Sequence, residues 1–271
     1  MHNVPRLGTC GDLLVAPILW GLAEREVPHQ FELLPDSLAA NGIKLRSGSV
    51  EATLLAPIDY ARSKGETRIV PQISVTAAAG GSTAAIFFRK GLRDITSLAV
   101  DVNFPSEAVL AKVVLAEQYG LVPEFIPASP PLARMLEQAD AALLVGEAAW
   151  QATLFQEPSL DLIEAWEEMT ELPFVHVLIV AQEHALSADD IHALQLSARI
   201  GASSLHSVAT TRAGDIGVSE EALEEILREY LSFDLDETAI ESLGEFFRYA
   251  YYHGAIDNLR ELKFYELPGR K

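Results

Sequence analysis

Cysteine and basic residues are both scarce in this 271-residue sequence. The single cysteine, Cys10, excludes an internal disulfide framework and any site built from several cysteine ligands, and it fits a reducing compartment. Lys and Arg number 20 against 39 Asp and Glu, for a formal charge of -19. Because this charge repels polyanions at long range, we expect neither nucleic acid nor an anionic membrane as a partner.

Long hydrophobic runs and nucleotide-binding motifs are missing as well. No run reaches the roughly 20 apolar residues that a membrane-spanning helix needs, and the first residues do not resemble a secretion signal. We therefore expect a cytoplasmic protein. Neither GxxxxGK[ST] nor GxGxxG occurs, and the seven histidines show no metal-ligand spacing, so the sequence indicates no metal site.

The sequence does contain a repeated pattern of short apolar strands and helices. With 49% hydrophobic and 22% charged residues it has the composition of a globular protein. The first series predicts strands at 4–9, 30–34 and 51–55 with helices at 13–26 and 36–47. The second predicts strands at 97–101, 123–127 and 141–146 with helices at 106–119 and 131–138. Each β-α-β-α-β series predicts an α/β lobe whose largely parallel sheet is covered on both faces.

Two further apolar strands, at 84–89 and 172–181, flank the second series and are interpreted as crossings between the lobes. The predicted domains are therefore residues 1–88 plus 176–271, with the C-terminal helices packed on this first lobe, and residues 89–175. In open α/β sheets, ligands bind beyond the carboxyl ends of the strands. We expect a cleft between the lobes that is lined by these strand ends.

Four sequence features lie at such positions, and each has a structural alternative. Asp12 follows the first strand as a helix N-cap, a ligand contact or both, while Cys10 beside it is interpreted as an inert buried thiol. The GGSTAA loop at 80–85 suits a carboxylate but is also ordinary loop chemistry. In the segment 101–108, Asn103 or Ser106 caps the next helix, and the position of this segment after a strand of the second lobe also favours ligand binding.

Glu147 is the fourth of these features, and His176 is a separate candidate. Glu147 follows the last strand of the second series as a base, a hydrogen-bond acceptor or an N-cap. His176 lies in an apolar strand and is interpreted as a hydrogen-bonded core residue.

Several segments together resemble the chorismate dehydratase family of the futalosine route to menaquinone. The matching segments are RLG…P-L-W-GL at 6–22, LLPDSLAA…LRSGSVEATLLAPIDY at 33–60, TRIVPQIS at 67–74, DAALLVGEAA at 140–149 and DLIEAWEEMTELPFV at 161–175. A looser similarity covers 230–256. The resemblance implies a two-lobed, periplasmic-binding-protein-like (type II) fold and the conversion of chorismate to 3-[(1-carboxyvinyl)oxy]benzoate by loss of water. That lyase chemistry requires no cofactor or metal.

The resemblance, combined with the strand-end positions, predicts the site. Asp12 is the predicted catalytic residue, close to the leaving hydroxyl or to the ring proton that is removed. The predicted substrate contacts are Gly11, Leu14, Ala56, Gly81, Ser82, Thr83, Ala84, Asn103, Ser106, Glu107, Gly146 and Glu147. We expect backbone N–H groups at 81–84 and 103–107 to bind the two carboxylates of the substrate.

Three of these positions depart from the family pattern. Leu14 stands where the family has asparagine, Ala84 where it has serine, and Ala56 precedes Pro57 where the family reads I-P-S. These losses of polar groups leave a second hypothesis open, a small-carboxylate-binding protein of the same fold without catalysis. A third, the sister family that splits cyclic dehypoxanthine futalosine, lacks support because its Cys-Pro-Asn-Asp opening is not found. The sequence leaves the oligomeric state open.

Overall fold

Two β-sheets with flanking helices form the protein, and each sheet organises one lobe. The computed structural model describes residues 4–89, 94–153 and 158–266. The first sheet has the strand order β11-β4-β10-β3-β1-β2. Its strands are β1 (Arg6–Thr9), β2 (Glu32–Pro35), β3 (Ala52–Leu55), β4 (Thr67–Ala77), β10 (Phe174–Gln182) and β11 (Leu231–Ser232).

The second sheet has the order β7-β6-β8-β5-β9. Its strands are β5 (Ala84–Phe88), β6 (Ser97–Val100), β7 (Glu124–Pro127), β8 (Ala141–Val145) and β9 (Ser159–Asp161). The three-strand units β2-β1-β3 and β7-β6-β8 are both parallel and have the same order. The predicted repeat of the β-α-β-α-β series is therefore confirmed. Antiparallel pairing by β10, β4, β11, β5 and β9 makes both sheets mixed.

Helices connect and cover these strands. A short 3-10 helix, Leu13–Val15, precedes α1 (Ala16–Ala23). The others are α2 (Leu38–Ser47), α3 (Pro57–Arg62), α4 (Pro105–Tyr119), α5 (Leu132–Gln138), α6 (Glu147–Thr153), α7 (Leu162–Thr170), α8 (Ala188–Ser203), α9 (Leu205–Ile216), α10 (Glu220–Glu229) and α11 (Glu237–Tyr252). In the part of the chain that the structure describes, no helix is long and apolar enough to cross a membrane.

Side-chain caps explain where the C-terminal helices begin. Ser187 and Asp190 form a capping box at the start of α8. Ser219 caps α10 and Asp236 caps α11 through bonds to backbone N–H groups of the first turn. Each cap satisfies donors that have no partner inside the helix, so these starts are encoded locally.

The chain crosses between the sheets at 78–83 and returns at 171–173. We expected the strand at 84–89 to belong to the first lobe, but β5 pairs with β8 and β9 of the second sheet. The apolar sequence AAIFF predicts a buried strand but not the strands with which it pairs. Those partners depend on which sheet edge is free in the folded protein. On the return, β10 begins at Phe174, opposite Ala77 of β4. The exact division into domains stays a prediction.

A single hydrophobic cluster extends through both lobes, and a smaller one lies beside the second sheet. α8 packs on α1 and β4, as expected of a helix on the first lobe. α11 contacts β10 and α3 of the first lobe but also α4 of the second. Phe246, Phe247 and Ala250 of α11 are buried in this core, while Tyr252 is exposed.

Close packing of α8 on α1 depends on Gly201. A Cβ atom there would lie 1.8 Å from the backbone oxygen of Pro17, which cannot move without displacing α1. We expect Gly201→Ala to reduce the free energy of unfolding by about 1–3 kcal/mol, the usual range for overpacking. Gly214 of α9 is the matched control, since a Cβ there meets nothing within 4 Å.

Because alanine favours a helix over glycine, Gly214→Ala is expected to raise the free energy of unfolding by about 0.5–1 kcal/mol. Urea unfolding followed by circular dichroism measures both variants. A Gly201→Ala protein as stable as the wild type would contradict the packing described for α1 and α8.

Candidate functional site between the lobes

The carboxyl ends of β1, β3, β6 and β8 face one another between the two sheets. Asp12 follows β1, and Gly146 and Glu147 follow β8 from the opposite lobe. At the other two strand ends, the N–H of Ile58 in α3 donates to Ser106 Oγ in α4, with an N–O distance of 3.1 Å. Segments far apart in the sequence therefore meet at one place, as expected for the carboxyl edges of α/β sheets.

Asp12 caps the 3-10 helix, which confirms the capping interpretation. Its Oδ1 accepts a 2.8 Å hydrogen bond from the N–H of Leu14. Gly146 of the second lobe lies directly against this carboxylate, because a Cβ on Gly146 would be 2.8 Å from Asp12 Oδ1 and 3.0 Å from Leu14 Cδ1. Gly146 also has a φ of +56°. Both the conformation and the close approach require glycine here.

The environment of Asp12 favours its protonated form. Burial raises the pKa of Asp12 from 3.8 to about 7, and the negative charges of Glu147 and Glu107 add to the increase. The Leu14 N–H and the Arg212 guanidinium oppose the shift of this pKa but do not cancel it. Near neutral pH the carboxyl group can therefore both donate and accept a proton, which is the property of a general acid or base.

Glu147 connects the two lobes. Its Oε1 accepts hydrogen bonds from the Leu13 N–H, at 2.9 Å, and from Nη2 of Arg212 in α9, at 2.8 Å. The same Nη2 donates to the carbonyl oxygen of Gly11 at 2.8 Å. We call this group of Gly11, Leu13, Glu147 and Arg212 the interlobe clasp. Of the three roles considered for Glu147, the structure shows the hydrogen-bond acceptor.

Thr83, His176 and Glu107 form a buried chain of hydrogen bonds. His176 Nε2 lies 3.0 Å from Thr83 Oγ1, and His176 Nδ1 lies 2.7 Å from Glu107 Oε1. The three residues are 0%, 1% and 2% exposed. The prediction that His176 is a hydrogen-bonded core residue is confirmed, and its partners are two predicted substrate contacts.

Asp12, Glu107 and Glu147 place three carboxyl groups in the same region, which would repel an anionic ligand if all carried an uncompensated charge. Glu147 is paired with Arg212, and Glu107 is hydrogen-bonded to His176. The raised pKa of Asp12 leaves it partly protonated at neutral pH. The region is therefore less negative than its composition indicates. Among the residues described, no group of three or more His, Cys, Asp or Glu side chains is arranged to hold a metal ion.

Some predicted backbone donors are already used within the protein. The N–H of Ser82 donates to Asp161 Oδ2 at 3.1 Å, and the N–H of Asn103 donates to Asp101 Oδ1 at 2.9 Å. In this conformation these two N–H groups are therefore not free, and their binding to a substrate carboxylate stays a prediction. At Gly81 the carbonyl oxygen accepts from Trp150 Nε1, so this residue is part of the core packing.

The predicted caps of α4 are also wrong. Its N-cap is Phe104, which makes no side-chain capping bond, and Pro105 occupies the first turn. Proline suits this position because the first N–H groups have no helical partner. Ser106, in the first turn, instead accepts a hydrogen bond from α3, as described above. The Ser106 hydroxyl therefore bonds to α3 of the other lobe and does not cap its own helix, α4.

The positions that depart from the family pattern are buried and apolar. Leu14, Ala56 and Ala84 are each at most 1% exposed. Cys10, next to Gly11, is partly buried, and burial raises the pKa of its thiol to about 12, with a further contribution from Asp12. Cys10 therefore stays protonated at neutral pH, which agrees with its interpretation as an inert thiol.

The model of a protein family described as menaquinone biosynthesis matches residues 5–252. The chain belongs to this menaquinone biosynthesis family. The match covers nearly the whole sequence and both sheets, so it agrees with the resemblance identified from the sequence segments. It also means that the strand ends described above lie inside the family region.

Solved structures show the fold that this family member adopts. A protein of Archaeoglobus fulgidus is 18% identical, with a TM-score of 0.72 over 93% of this chain and 98% of that one. The alkanesulfonate-binding protein of Xanthomonas axonopodis pv. citri, solved with MOPS, is 13% identical, with a TM-score of 0.70 over 97% of each chain. A Candida albicans protein with the generic periplasmic binding protein fold is 10% identical, with a TM-score of 0.71 over 99% of each chain. This menaquinone biosynthesis family member has the two-lobed, type II fold of periplasmic binding proteins.

Sequence reasoning missed Arg212. It lies in α9, about 200 residues after Gly11, and nothing in its local pattern distinguishes it from other surface arginines. Only the packing of the C-terminal helices against α1 and α6 places its guanidinium at Asp12 and Glu147.

The raised pKa of Asp12 predicts how stability depends on pH. Because the folded state binds this proton more tightly than the unfolded state, the contribution of Asp12 to the free energy of unfolding falls as pH rises from 3.8 to about 7. Asp12→Asn keeps an N-cap acceptor but has no charge. We expect this variant to have a higher Tm than the wild type at pH 8 and a smaller advantage at pH 5.

Thermal unfolding at both pH values checks this expectation. Asp236→Asn is the control, because Asp236 also caps a helix, α11, through a 2.8 Å hydrogen bond, but its carboxylate is exposed to solvent. An Asp12→Asn advantage that does not depend on pH would show that Asp12 is already ionised in the folded protein.

Proposed function

We propose that this member of the menaquinone biosynthesis family is a chorismate dehydratase, a hydro-lyase that converts chorismate to 3-[(1-carboxyvinyl)oxy]benzoate and water. The observation that carries the proposal is the position of Asp12, which lies between the lobes with a pKa of about 7. An elimination of water needs a proton donor for the departing hydroxyl group. A carboxyl group that is partly protonated at neutral pH suits that role.

Dehydration of chorismate requires the protein mainly to bind and orient the substrate. Loss of the ring hydroxyl and one ring proton produces an aromatic ring, so the substrate itself supplies a large driving force. Chorismate can also rearrange or lose pyruvate, and the protein must therefore favour one outcome by orientation and electrostatics. A cleft that closes around the ring, with Asp12 at the leaving hydroxyl, provides that selection.

Two features of the cleft support binding of a dicarboxylate. Arg212 is the cation next to Asp12, and a substrate carboxylate would replace Glu147 as its partner. The N-terminus of α4, a 15-residue helix, supplies the positive end of a helix dipole at Ser106 and Glu107. In this proposal the interlobe clasp opens for the substrate to reach the cleft and closes again behind it.

A second candidate function, the binding of a small carboxylate without catalysis, is supported by a different observation. Leu14 stands at the family's asparagine position and packs against Gly146, and Ala84 is buried in β5. These apolar side chains remove two hydrogen-bonding groups from the cleft. Loss of one such group at a developing charge costs roughly 2.7–4 kcal/mol, or 10²–10³-fold in rate, so a slow enzyme is compatible with both residues.

The test is incubation of the purified protein with chorismate, with the aromatic product followed by chromatography and absorbance. We expect Asp12→Ala to reduce kcat/KM far more than tenfold, and Asp12→Asn to do the same although it keeps the helix cap. General acid catalysis typically contributes about 10²–10⁴-fold. Asp236→Asn, the capping control in α11, is expected to retain wild-type turnover.

The outcomes separate the two functions. Chorismate that binds tightly and is recovered unchanged would support the binding protein and reject the dehydratase. If Asp12→Asn forms the product at the wild-type rate, Asp12 is not the proton donor in the reaction.

A further inference from the structure

The interlobe clasp brings two hydrogen-bond donors to one carboxylate from the second lobe. Leu13 follows β1 of the first sheet, and Arg212 lies in α9, which packs on α1 and α8. Glu147 is the first residue of α6 and follows β8 of the second sheet. Its Oε1 accepts from the Leu13 N–H at 2.9 Å and from Arg212 Nη2 at 2.8 Å. The function proposed above does not explain why a carboxylate of the protein occupies these donors.

The two donors are of the kind that binds a carboxylate. A guanidinium group and a backbone N–H both form charge-assisted hydrogen bonds to carboxylate oxygens. Arg212 Nη2 also donates to the Gly11 carbonyl oxygen at 2.8 Å, and Arg212 Nε lies 3.5 Å from Asp215 Oδ2. The bond to Gly11 holds the guanidinium next to the Leu13 N–H without any contribution from Glu147. We call Arg212 Nη2 and the Leu13 N–H the anion subsite, which stays assembled when Glu147 leaves.

Glu147 and a ligand carboxylate compete for the anion subsite. Nη2 of Arg212 carries two hydrogens, and one is directed to Gly11 while the other is directed to Glu147. Leu13 has a single backbone hydrogen, and Glu147 accepts it. A ligand carboxylate therefore binds both donors only when the Glu147 side chain has moved away.

The clasp lies at a solvent-accessible edge of the cleft, where a ligand can reach it. Gly11 is exposed and Asp12 is partly exposed. The side chains of Arg212 and Glu147 are 25% and 28% exposed. Because the Glu147 carboxylate is already partly hydrated, its move into solvent costs little free energy. The same move takes one negative charge away from the incoming anion, which lowers the repulsion between them.

We propose that Glu147 is an intramolecular competitor for a carboxylate-binding subsite formed by Arg212 and the Leu13 N–H. Before a ligand binds, the Glu147 carboxylate occupies this subsite and joins the lobes. A carboxylate of the substrate displaces it, and the Glu147 side chain turns into solvent. The inference rests on the proposed function for the identity of the substrate, whereas the competition itself requires only a carboxylate.

Competition of this kind selects for anionic ligands. A carboxylate ligand replaces one ionic hydrogen-bond acceptor of Arg212 with another, so the guanidinium keeps a negatively charged partner. A neutral ligand offers no such replacement, and Arg212 then stays bonded to Glu147. The clasp therefore discriminates against uncharged molecules of similar shape, because they do not displace Glu147.

The decisive variant is Glu147→Gln, tested by isothermal titration calorimetry with isophthalate as an unreactive dicarboxylate probe. The amide keeps an acceptor oxygen but has no charge, so it competes less strongly for Arg212. We expect the Kd for isophthalate to fall about three- to tenfold. The Kd for isophthalamide, the uncharged analogue, is expected to change less than about twofold. If the protein is the proposed dehydratase, KM for chorismate falls together with the Kd for isophthalate.

Arg212→Gln removes the guanidinium and is expected to have the opposite effect. Its Kd for isophthalate should rise about 10- to 100-fold, the usual result of losing a hydrogen bond to a charged group. In the double variant Glu147→Gln, Arg212→Gln, the gain from Glu147→Gln should disappear, because the competition requires the guanidinium. Glu245→Gln is the control, since it removes the charge from a 2.7 Å pair with Arg248 within α11, and it should leave the Kd unchanged.

The direction of the change in Glu147→Gln decides the outcome. Tighter binding of isophthalate supports the competition. Weaker binding shows that Glu147 itself holds the ligand or the closed form, and unchanged binding shows that the ligand does not use the anion subsite, so either result overturns the inference. Failure of every variant to bind isophthalate overturns it as well.

Two further results separate this inference from the proposed function. A wild-type protein that forms no aromatic product, with a Glu147→Gln variant that binds isophthalate more tightly, rejects the dehydratase and supports the subsite. An active wild type with unchanged isophthalate binding in Glu147→Gln rejects the competition alone. If Glu147→Gln does not fold by circular dichroism, Arg212→Gln decides, and an unchanged Kd in that variant rejects the subsite.

Discussion

Contact between Gly146 and Asp12 is the constraint on which the rest of the site depends. Because Gly146 has no Cβ, the carboxyl end of β8 approaches the carboxyl end of β1 closely enough to shield the partly exposed Asp12 carboxylate from much of the surrounding water. That loss of water is the main reason why the pKa of Asp12 rises to about 7. The same approach brings Glu147 within hydrogen-bonding distance of Leu13, so closure of the lobes and the acidity of Asp12 have one origin.

Closure also determines how the negative charges of the site are compensated. The protein as a whole has a formal charge of -19, yet each carboxylate between the lobes has a specific partner or a raised pKa. Glu147 has Arg212, and Glu107 has His176. An acidic protein of this kind can still bind an anionic molecule, because paired charges lower the local repulsion within a few ångströms of the site. The net charge of the protein acts over longer distances.

Much of the fold followed from local patterns. The doubled β-α-β-α-β series, the caps at Ser187, Ser219 and Asp236, and the location of the cleft at strand ends were all predictable from neighbouring residues. The pairing of β5 was not predictable, since an apolar run of five residues does not specify its partner strand. Nor was it predictable that the backbone N–H groups of Ser82 and Asn103 donate to Asp161 and Asp101, because these contacts depend on the conformation of the loops.

The sequence by itself determined the lobes' building units and the positions of Asp12, Gly146 and Glu147 at strand ends, because periodicity and capping act over a few residues. Only the tertiary structure decided that Arg212 joins Glu147 and that His176 lies between Thr83 and Glu107. These contacts connect segments 65, 69 and 93 residues apart. Such pairs depend on how separate helices and sheets pack, and that packing leaves no local signal in the chain.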